Sequence, residues 1–208
     1  MLFRSEYKFS YRFSFQNNAT LDFNAVNTYI YLFNDFDPSN SPSSPDIIKL
    51  PAGTEYNYWY GTMNFSTDPR KLFNVDGSAL YGDYFNGTRL GLRATFNYRI
   101  QPYGVISIDA NYNQIKLPYP YSSADIYLVG PRLDLTLTKS VFFTTFVQYN
   151  SQFNNLNINS RFQWRFKPVS DLFIVYTDNY YYSFDQPDQN FAPKNRALVV
   201  KLTYWLNM

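Results

Sequence analysis

The sequence contains no cysteine and no histidine among its 208 residues. Disulfide bonds are therefore excluded, and so are metal sites built on Cys or His ligands. Ser-His-Asp and Cys-His catalysis are excluded as well, because both use histidine as the base. We accordingly predict no catalytic residue, no metal ligand and no cofactor, and we favour a non-enzymatic role for this portion of the chain.

Long apolar runs are also missing, and the mean hydropathy is −0.38. A membrane-spanning helix needs about 20 consecutive, predominantly apolar residues, so we predict no transmembrane helix. The opening Met-Leu-Phe-Arg shows no signal-peptide pattern. If the chain is exported, we expect its true N-terminus to lie upstream or to have been removed.

Aromatic residues are abundant: they make up 21% of the chain, with 21 Tyr, 20 Phe and 3 Trp. Outer-membrane β-barrels need an apolar belt and aromatic girdles at both membrane interfaces, and this need accounts for such a composition. The formal net charge of +2 indicates little about partners.

Residues 3–15 alternate strictly between aromatic and polar side chains, with Ser5 the one polar residue on the aromatic side. A period of two residues predicts a β-strand with one apolar and one polar face. Soluble strands usually run about five or six residues, whereas a tilted strand that crosses a bilayer needs roughly 9–11. The length and pattern of this segment therefore predict a transmembrane strand.

Similar patterns predict eleven strands in all, and residues 1–208 are predicted to form a single domain. The fold class is all-β, an antiparallel transmembrane β-barrel in the bacterial outer membrane. The predicted strands cover approximately residues 3–15, 21–33, 55–66, 71–82, 89–101, 106–113, a segment ending at 137, 141–150, 158–167, 171–181 and 198–206.

The predicted connections are short after odd strands and often long after even strands. Outer-membrane barrels have short periplasmic turns and long outer loops, which places the C-terminus in the periplasm. Eleven is an odd number, whereas bacterial single-chain barrels have an even number of strands. We therefore expect the chain to be the C-terminal part of a larger barrel; one missed or merged strand is the alternative.

Charged residues concentrate on the predicted lumen face, where basic residues outnumber acidic ones. Such a lumen would attract anions, unless the charges pair with one another as structural ion pairs. The basic residues are Arg4, Lys8, Arg12, Arg89, Arg93, Arg99, Arg132, Arg161, Arg165 and Lys201, and the acidic residues are Glu6, Asp22, Asp109 and Asp134.

Tyrosine and tryptophan residues cluster near predicted strand ends. We interpret them as interfacial girdles; stacking platforms for sugars are the alternative. Nucleic acid is not a predicted partner, because the membrane accounts for both faces of the strands. The girdle residues are Tyr56, Tyr58, Trp59, Tyr60, Tyr103, Tyr112, Tyr149 and Tyr204.

Acidic residues in the two longest loops are the remaining candidates for chemistry. Paired carboxylates can hydrolyse glycosides or bind calcium. Asp35 and Asp37 lie in the first loop, and Asp185 and Asp188 lie in the last. They lack a defining spacing, so we interpret them as solvated loop charges.

Residues 159–176 read NSRFQWRFKPVSDLFIVY. This segment resembles the closing strands of a group of large Bacteroidota outer-membrane proteins, whose pattern is N-S-R-x-x-W-x-[YF]-x-P-x-S-D-L-[FY]. The resemblance covers about residues 50–208 and implies an outer-membrane location. Members of the group carry an N-terminal domain similar to a family 9 carbohydrate-binding module, and this chain contains no such domain.

Three functional hypotheses remain. The first is a non-enzymatic channel, or a membrane anchor for a glycan-binding domain. The second is a scaffold or accessory subunit of an outer-membrane uptake, secretion or assembly complex, and the third is an outer-membrane hydrolase. The predicted partners are the outer-membrane bilayer with its lipopolysaccharide, other outer-membrane proteins, and the barrel-assembly machinery, which would recognise the alternating strand at residues 202–208.

Overall fold

The computed structural model describes residues 2–39, 48–183, 188 and 191–206. Within these ranges the chain forms eleven strands: β1 Leu2–Ser14, β2 Thr20–Leu32, β3 Glu55–Ser66, β4 Phe73–Tyr84, β5 Gly87–Ile100, β6 Gly104–Lys116, β7 Ala124–Thr136, β8 Val141–Asn150, β9 Asn155–Lys167, β10 Ser170–Tyr181 and β11 Ala192–Thr203.

All eleven strands belong to one antiparallel sheet, and each strand pairs with its neighbours in the sequence. This confirms the all-β class and the predicted strand number. The described residues contain no helix of the length and apolarity that a bilayer crossing requires.

Most strand boundaries differ from the prediction by a few residues, and two of the differences affect the candidate site. β11 begins at Ala192, because the polar segment that looked like a loop pairs with the end of β10, with Arg196 opposite Asp178. The connection between β4 and β5 is only the two residues 85–86. Phe85 adopts a φ of 53° there, a tight-turn conformation that its aromatic side chain did not indicate.

The sheet is not closed within the described residues. There β1 pairs only with β2, and β11 pairs only with β10. Each edge strand therefore has one row of backbone groups without a strand partner in the part of the chain that is described.

The chain divides into two compact units. Unit 1 consists of Met1–Ala94 and Asn111–Tyr127, and unit 2 consists of Thr95–Ala110 and Leu128–Met208. The single domain predicted for residues 1–208 stays a prediction.

Unit 1 contains a small apolar cluster near the connection between β2 and β3. The connection folds back on itself through paired backbone hydrogen bonds between Phe36 and Leu50, with N···O distances of 2.9 and 2.8 Å. Leu50 is fully buried. It packs with Ile30, Leu32, Tyr58 and Phe85.

Candidate functional site

The two faces of the sheet in unit 1 differ in both chemistry and exposure. On one face, Arg4, Glu6 and Lys8 of β1 lie opposite Ile30, Thr28 and Val26 of β2. We call the face that carries these charged residues the polar face. Thr28 is 0% exposed, although threonine is not a typical core residue.

The opposite face, which we call the apolar face, carries large aromatic side chains that are open to solvent. Phe9 is 67% exposed and Trp59 is 50% exposed, and their rings stack with centroids 6.4 Å apart. The residues of this face follow directly from alternation: Phe3, Tyr7, Phe9, Tyr11 and Phe13 on β1, Phe23 on β2, and Trp59, Met63 and Phe65 on β3.

Carboxylates neutralise part of the positive charge on the polar face of unit 1. Arg4 pairs with Glu6, which also accepts hydrogen bonds from Thr28 Oγ1 at 3.1 Å and from the Tyr60 hydroxyl at 3.3 Å. Arg12 Nη2 donates to Asp22 Oδ2 at 3.1 Å. These pairs match the alternative expectation that interior charges bind one another.

Asp76 is an acidic residue of this face that the sequence did not indicate. It lies opposite Ser66 on β3, and the Ser66 hydroxyl donates to its carboxylate. The facing of the fourth strand was ambiguous because both of its faces carry apolar residues.

Unit 2 repeats this arrangement. Arg132 Nε donates to Asp134 at 2.7 Å, and Arg165 Nε lies 3.3 Å from Asp171. Asp109 accepts a hydrogen bond from Thr95 Oγ1 at 2.7 Å. Asp171 was missed by the sequence reasoning, because both faces of the tenth strand carry apolar side chains.

Six of the ten predicted basic residues form no ion pair with a carboxylate of the described residues. In unit 1 they are Lys8, Arg89 and Arg93, and in unit 2 they are Arg99, Arg161 and Lys201.

Three of the predicted girdle residues lie on the wrong face. Tyr58 is 6% exposed and belongs to the apolar cluster of unit 1, and Tyr56 and Tyr60 pack against that cluster. Register explains the error, because Tyr58 lies opposite Thr28 on the polar face. Their assignment to an outward-facing girdle is therefore wrong.

Trp59 lies on the apolar face, but it pairs with Asn27, which itself lies opposite Tyr7 in the middle of β1. It is therefore not at a strand end, where a girdle residue was predicted.

Three of the remaining girdle candidates, Tyr103, Tyr149 and Tyr204, lie close to strand ends or connections, whereas Tyr112 lies four residues from the end of β6, as far as Trp59 lies from the start of β3. Tyr103 is exposed in the turn between β5 and β6. The Tyr112 hydroxyl donates to Asp125 at 2.8 Å, Tyr149 makes an edge contact with Tyr182, and Tyr204 stacks on Phe166. Their role at a membrane interface stays a prediction.

Asp178 on β10 is a buried charge that the sequence did not single out. Its side chain is 0% exposed and accepts hydrogen bonds from the hydroxyls of Tyr176 and Tyr180, both at 2.5 Å, and from Arg196 Nε at 2.7 Å. The four residues form a network between β10 and β11, and the only sequence signal was the alternation Tyr176, Asp178, Tyr180.

The two candidate acidic residues of the first long loop, Asp35 and Asp37, accept hydrogen bonds from backbone groups of that loop. Asp35 accepts from the backbone N–H of Ala52 at 2.9 Å, and Asp37 accepts from the N–H of Ser39 at 2.9 Å. Asp185 lies outside the described residues, whereas Asp188 is described. No cluster of three metal-ligating side chains occurs in the described ranges.

Comparison of the chain with protein-family models, curated proteins and solved structures finds no match.

Proposed function

We propose that the chain is part of an integral outer-membrane β-barrel that acts as a non-enzymatic channel. The apolar face would contact lipid, and the polar face would line an aqueous interior. The observation that carries this proposal is the distribution of side chains in unit 1, where exposed aromatic residues cover one face, and the buried Asn24 and Thr28 lie on the face that carries the charged residues.

This distribution is unfavourable in water and favourable in a bilayer. Each fully exposed Phe or Leu side chain forgoes about 1.5–3 kcal/mol that burial would provide. Large contiguous apolar patches on soluble monomers are uncommon and mark interaction sites. A lipid phase stabilises such a face without a protein partner, and transmembrane strands have this alternation of apolar and polar side chains.

The lengths of the strands support the same environment. They run from 10 to 14 residues, whereas a tilted transmembrane strand needs roughly 9–11. The resemblance of residues 159–176 to closing strands of Bacteroidota barrels also supports an outer-membrane location.

The chemistry of the polar face supports the transport of anions. Arg and Lys groups that line a pore favour anionic solutes, and the six unpaired basic residues supply such groups. We expect planar bilayers that contain the full-length protein to conduct, with a reversal potential in a salt gradient that indicates anion preference.

Two adjacent positions on β1 test the orientation of the sheet. Phe9 lies on the apolar face, and its neighbour Lys8 lies on the polar face at nearly the same position along β1. With the native tryptophans replaced by phenylalanine, we expect Phe9→Trp fluorescence to be quenched by brominated lipid and protected from iodide. Lys8→Trp should show the reverse. Equal quenching of both by iodide would contradict the proposed membrane orientation.

The charge of the interior is tested by reversing unpaired arginines in the same full-length protein. Arg99→Glu and Arg161→Glu should each lower the anion preference of the conductance. Lys139→Glu is the matched control, because this residue lies in the exposed turn between β7 and β8. An equal effect of all three variants, or the absence of any conductance, would contradict the channel.

A further inference from the structure

Unit 1 contains a cavity of about 230 Å³ on the polar face beside the apolar cluster. Ligand pockets for drug-sized molecules usually measure about 300–1,000 Å³, so this cavity suits a smaller molecule with a single ring. All of its lining residues lie within unit 1: Arg4, Ile30, Phe36, Tyr58, Tyr60, Leu80, Asp83, Tyr84, Phe85 and Arg89.

Arg89 supplies a cation whose hydrogen-bonding capacity is not fully used. One terminal nitrogen, Nη2, donates to Asn113 Oδ1 at 2.8 Å. Its Nε is buried and has no hydrogen-bond partner among the described residues. A buried donor without an acceptor is costly and uncommon, so the described residues do not use the full hydrogen-bonding capacity of the Arg89 guanidinium.

The second arginine of the cavity is not available in the same way, because Arg4 pairs with Glu6. Asp83, the one acidic lining residue, forms no ion pair with Arg89 in the described chain. Arg89 is therefore the group that would carry charge recognition.

The walls of the cavity are aromatic. The Arg89 guanidinium lies 5.4 Å from the centre of the Tyr84 ring. Tyr84 and Tyr58 each contact Phe85 edge to face or at a tilt, with ring centroids 4.8 and 5.8 Å apart. Ring walls of this kind bind a flat or puckered six-membered ring by stacking.

The charge and the walls together define a ligand class. We propose that this cavity binds a six-membered ring that carries one carboxylate, with the carboxylate on the Arg89 guanidinium and the ring against the tyrosines. A planar guanidinium suits a carboxylate because its N–H groups form parallel, charge-assisted hydrogen bonds. Sugar acids and aromatic acids share this chemistry.

The proposal does not depend on the proposed channel, because one unit supplies the whole cavity. Binding requires the fold of unit 1 but requires neither conductance nor a bilayer.

Calorimetric titration of the full chain, folded in detergent micelles, tests the site with three probes. Glucuronate is a sugar acid, benzoate is an aromatic acid, and glucose is a ring without charge. We expect saturable one-to-one binding of at least one of the two acids and at least tenfold weaker binding of glucose. Preference for glucuronate would identify a sugar acid, and preference for benzoate an aromatic acid.

Two variants and a matched control make the test specific. Arg89→Gln should weaken binding of the preferred acid by about tenfold or more, since charge-assisted hydrogen bonds are lost. Tyr84→Leu should weaken it less and should affect the acid and glucose equally. Arg93→Gln is the control, because Arg93 is on the same strand and face but does not line the cavity, and it should bind like the unaltered chain.

Three results would overturn the assignment. They are the absence of saturable binding by either acid, binding of glucose as tight as that of the acids, and equal loss of affinity in Arg89→Gln and Arg93→Gln. Circular dichroism of each variant should match that of the unaltered chain, so that weaker binding reports on the site.

Discussion

Asp178 illustrates how a single buried charge can affect the stability of the sheet. Its carboxylate is fully buried, and Arg196 is the only cation that pairs with it in the described chain. Burying a charge is tolerated only when partners and hydrogen bonds compensate for the loss of water. The two tyrosine hydroxyls and Arg196 provide that compensation at Oδ2, whereas Oδ1 is buried without a hydrogen-bond partner among the described residues.

Removal of Arg196 should therefore cost more than removal of the whole pair. We expect Arg196→Met to lower the free energy of unfolding by about 2 kcal/mol, because the Asp178 charge stays buried without its cation. Asp178→Leu combined with Arg196→Met should recover part of that loss. Urea unfolding of both single variants and the double variant forms the cycle, and strictly additive losses would contradict coupling within the network.

Asp68, in the connection between β3 and β4, gives a pH-dependent prediction. Hydrogen bonds from the side chain and then the backbone of Arg70 lower the pKa of Asp68 to about 2. Because the folded-state pKa is depressed, the stabilisation is complete above the unfolded pKa of about 4. It is lost as the pH falls from about 4 through 2.

We expect the Asp68→Asn variant to lose less stability than the unaltered chain over that interval. Urea unfolding at pH 5 and pH 2 measures the difference. Asp35→Asn is a suitable control, because Asp35 is also a loop carboxylate that accepts a backbone hydrogen bond. An identical pH dependence of the Asp68→Asn variant and the unaltered chain would count against the assigned role of Arg70.

At the scale of strands, glycine positions identify where two backbones lie too close for a side chain. A Cβ placed on Gly87 would overlap the carbonyl oxygen of Lys116 and lie 2.9 Å from Leu117 Cα. Both are backbone atoms, so the overlap can be relieved only if the backbone itself moves. Gly61 differs, because a Cβ there would meet its nearest atoms at 3.8 and 3.9 Å.

Gly87→Ala should therefore destabilise the chain by about 1–3 kcal/mol, as overpacking does. Gly61→Ala, also within unit 1, should change stability by no more than about 0.5 kcal/mol. Urea midpoints of the two variants provide the comparison. Equal midpoints would show that β5 can move away from the end of β6 at little cost.

The strands also show what alternation alone can predict. The predicted bounds of β3 and β8 are those of the structure, and those of β1 differ by one residue. Alternation could not assign faces in β3, because Tyr58, Trp59 and Tyr60 make both of its faces aromatic. The burial of Tyr58 depends on Leu50, which comes from a loop that has no strand periodicity.

The cavity was unpredictable for a related reason. Arg89 was predicted to lie with the charged residues of its strand, but the sequence did not indicate that Tyr84 and Phe85 would line a cavity with it. That proximity requires the two-residue connection between β4 and β5, whereas the sequence indicated a longer loop at residues 83–87. The turn geometry that brings these side chains together is therefore harder to predict from the sequence than the two strands that the turn connects.

At the scale of the whole molecule, the two edge strands of the sheet matter most to the proposed function. Unsatisfied backbone groups are very costly in the hydrocarbon region of a membrane, so a transmembrane sheet has to close. With eleven alternating strands, direct pairing of β1 with β11 would be parallel. An odd number of further strands between them would keep every pair antiparallel.

Hydrogen exchange along β1 in the full-length protein in membranes tests whether that edge is paired. In a strand with one antiparallel neighbour, only alternate amides donate to that neighbour. If the barrel is closed, we expect consecutive amides of β1 to be protected to a similar degree, as in β2, which has neighbours on both sides. Protection of every second amide in β1, with full protection in β2, would mean that the edge remains open and would contradict the barrel.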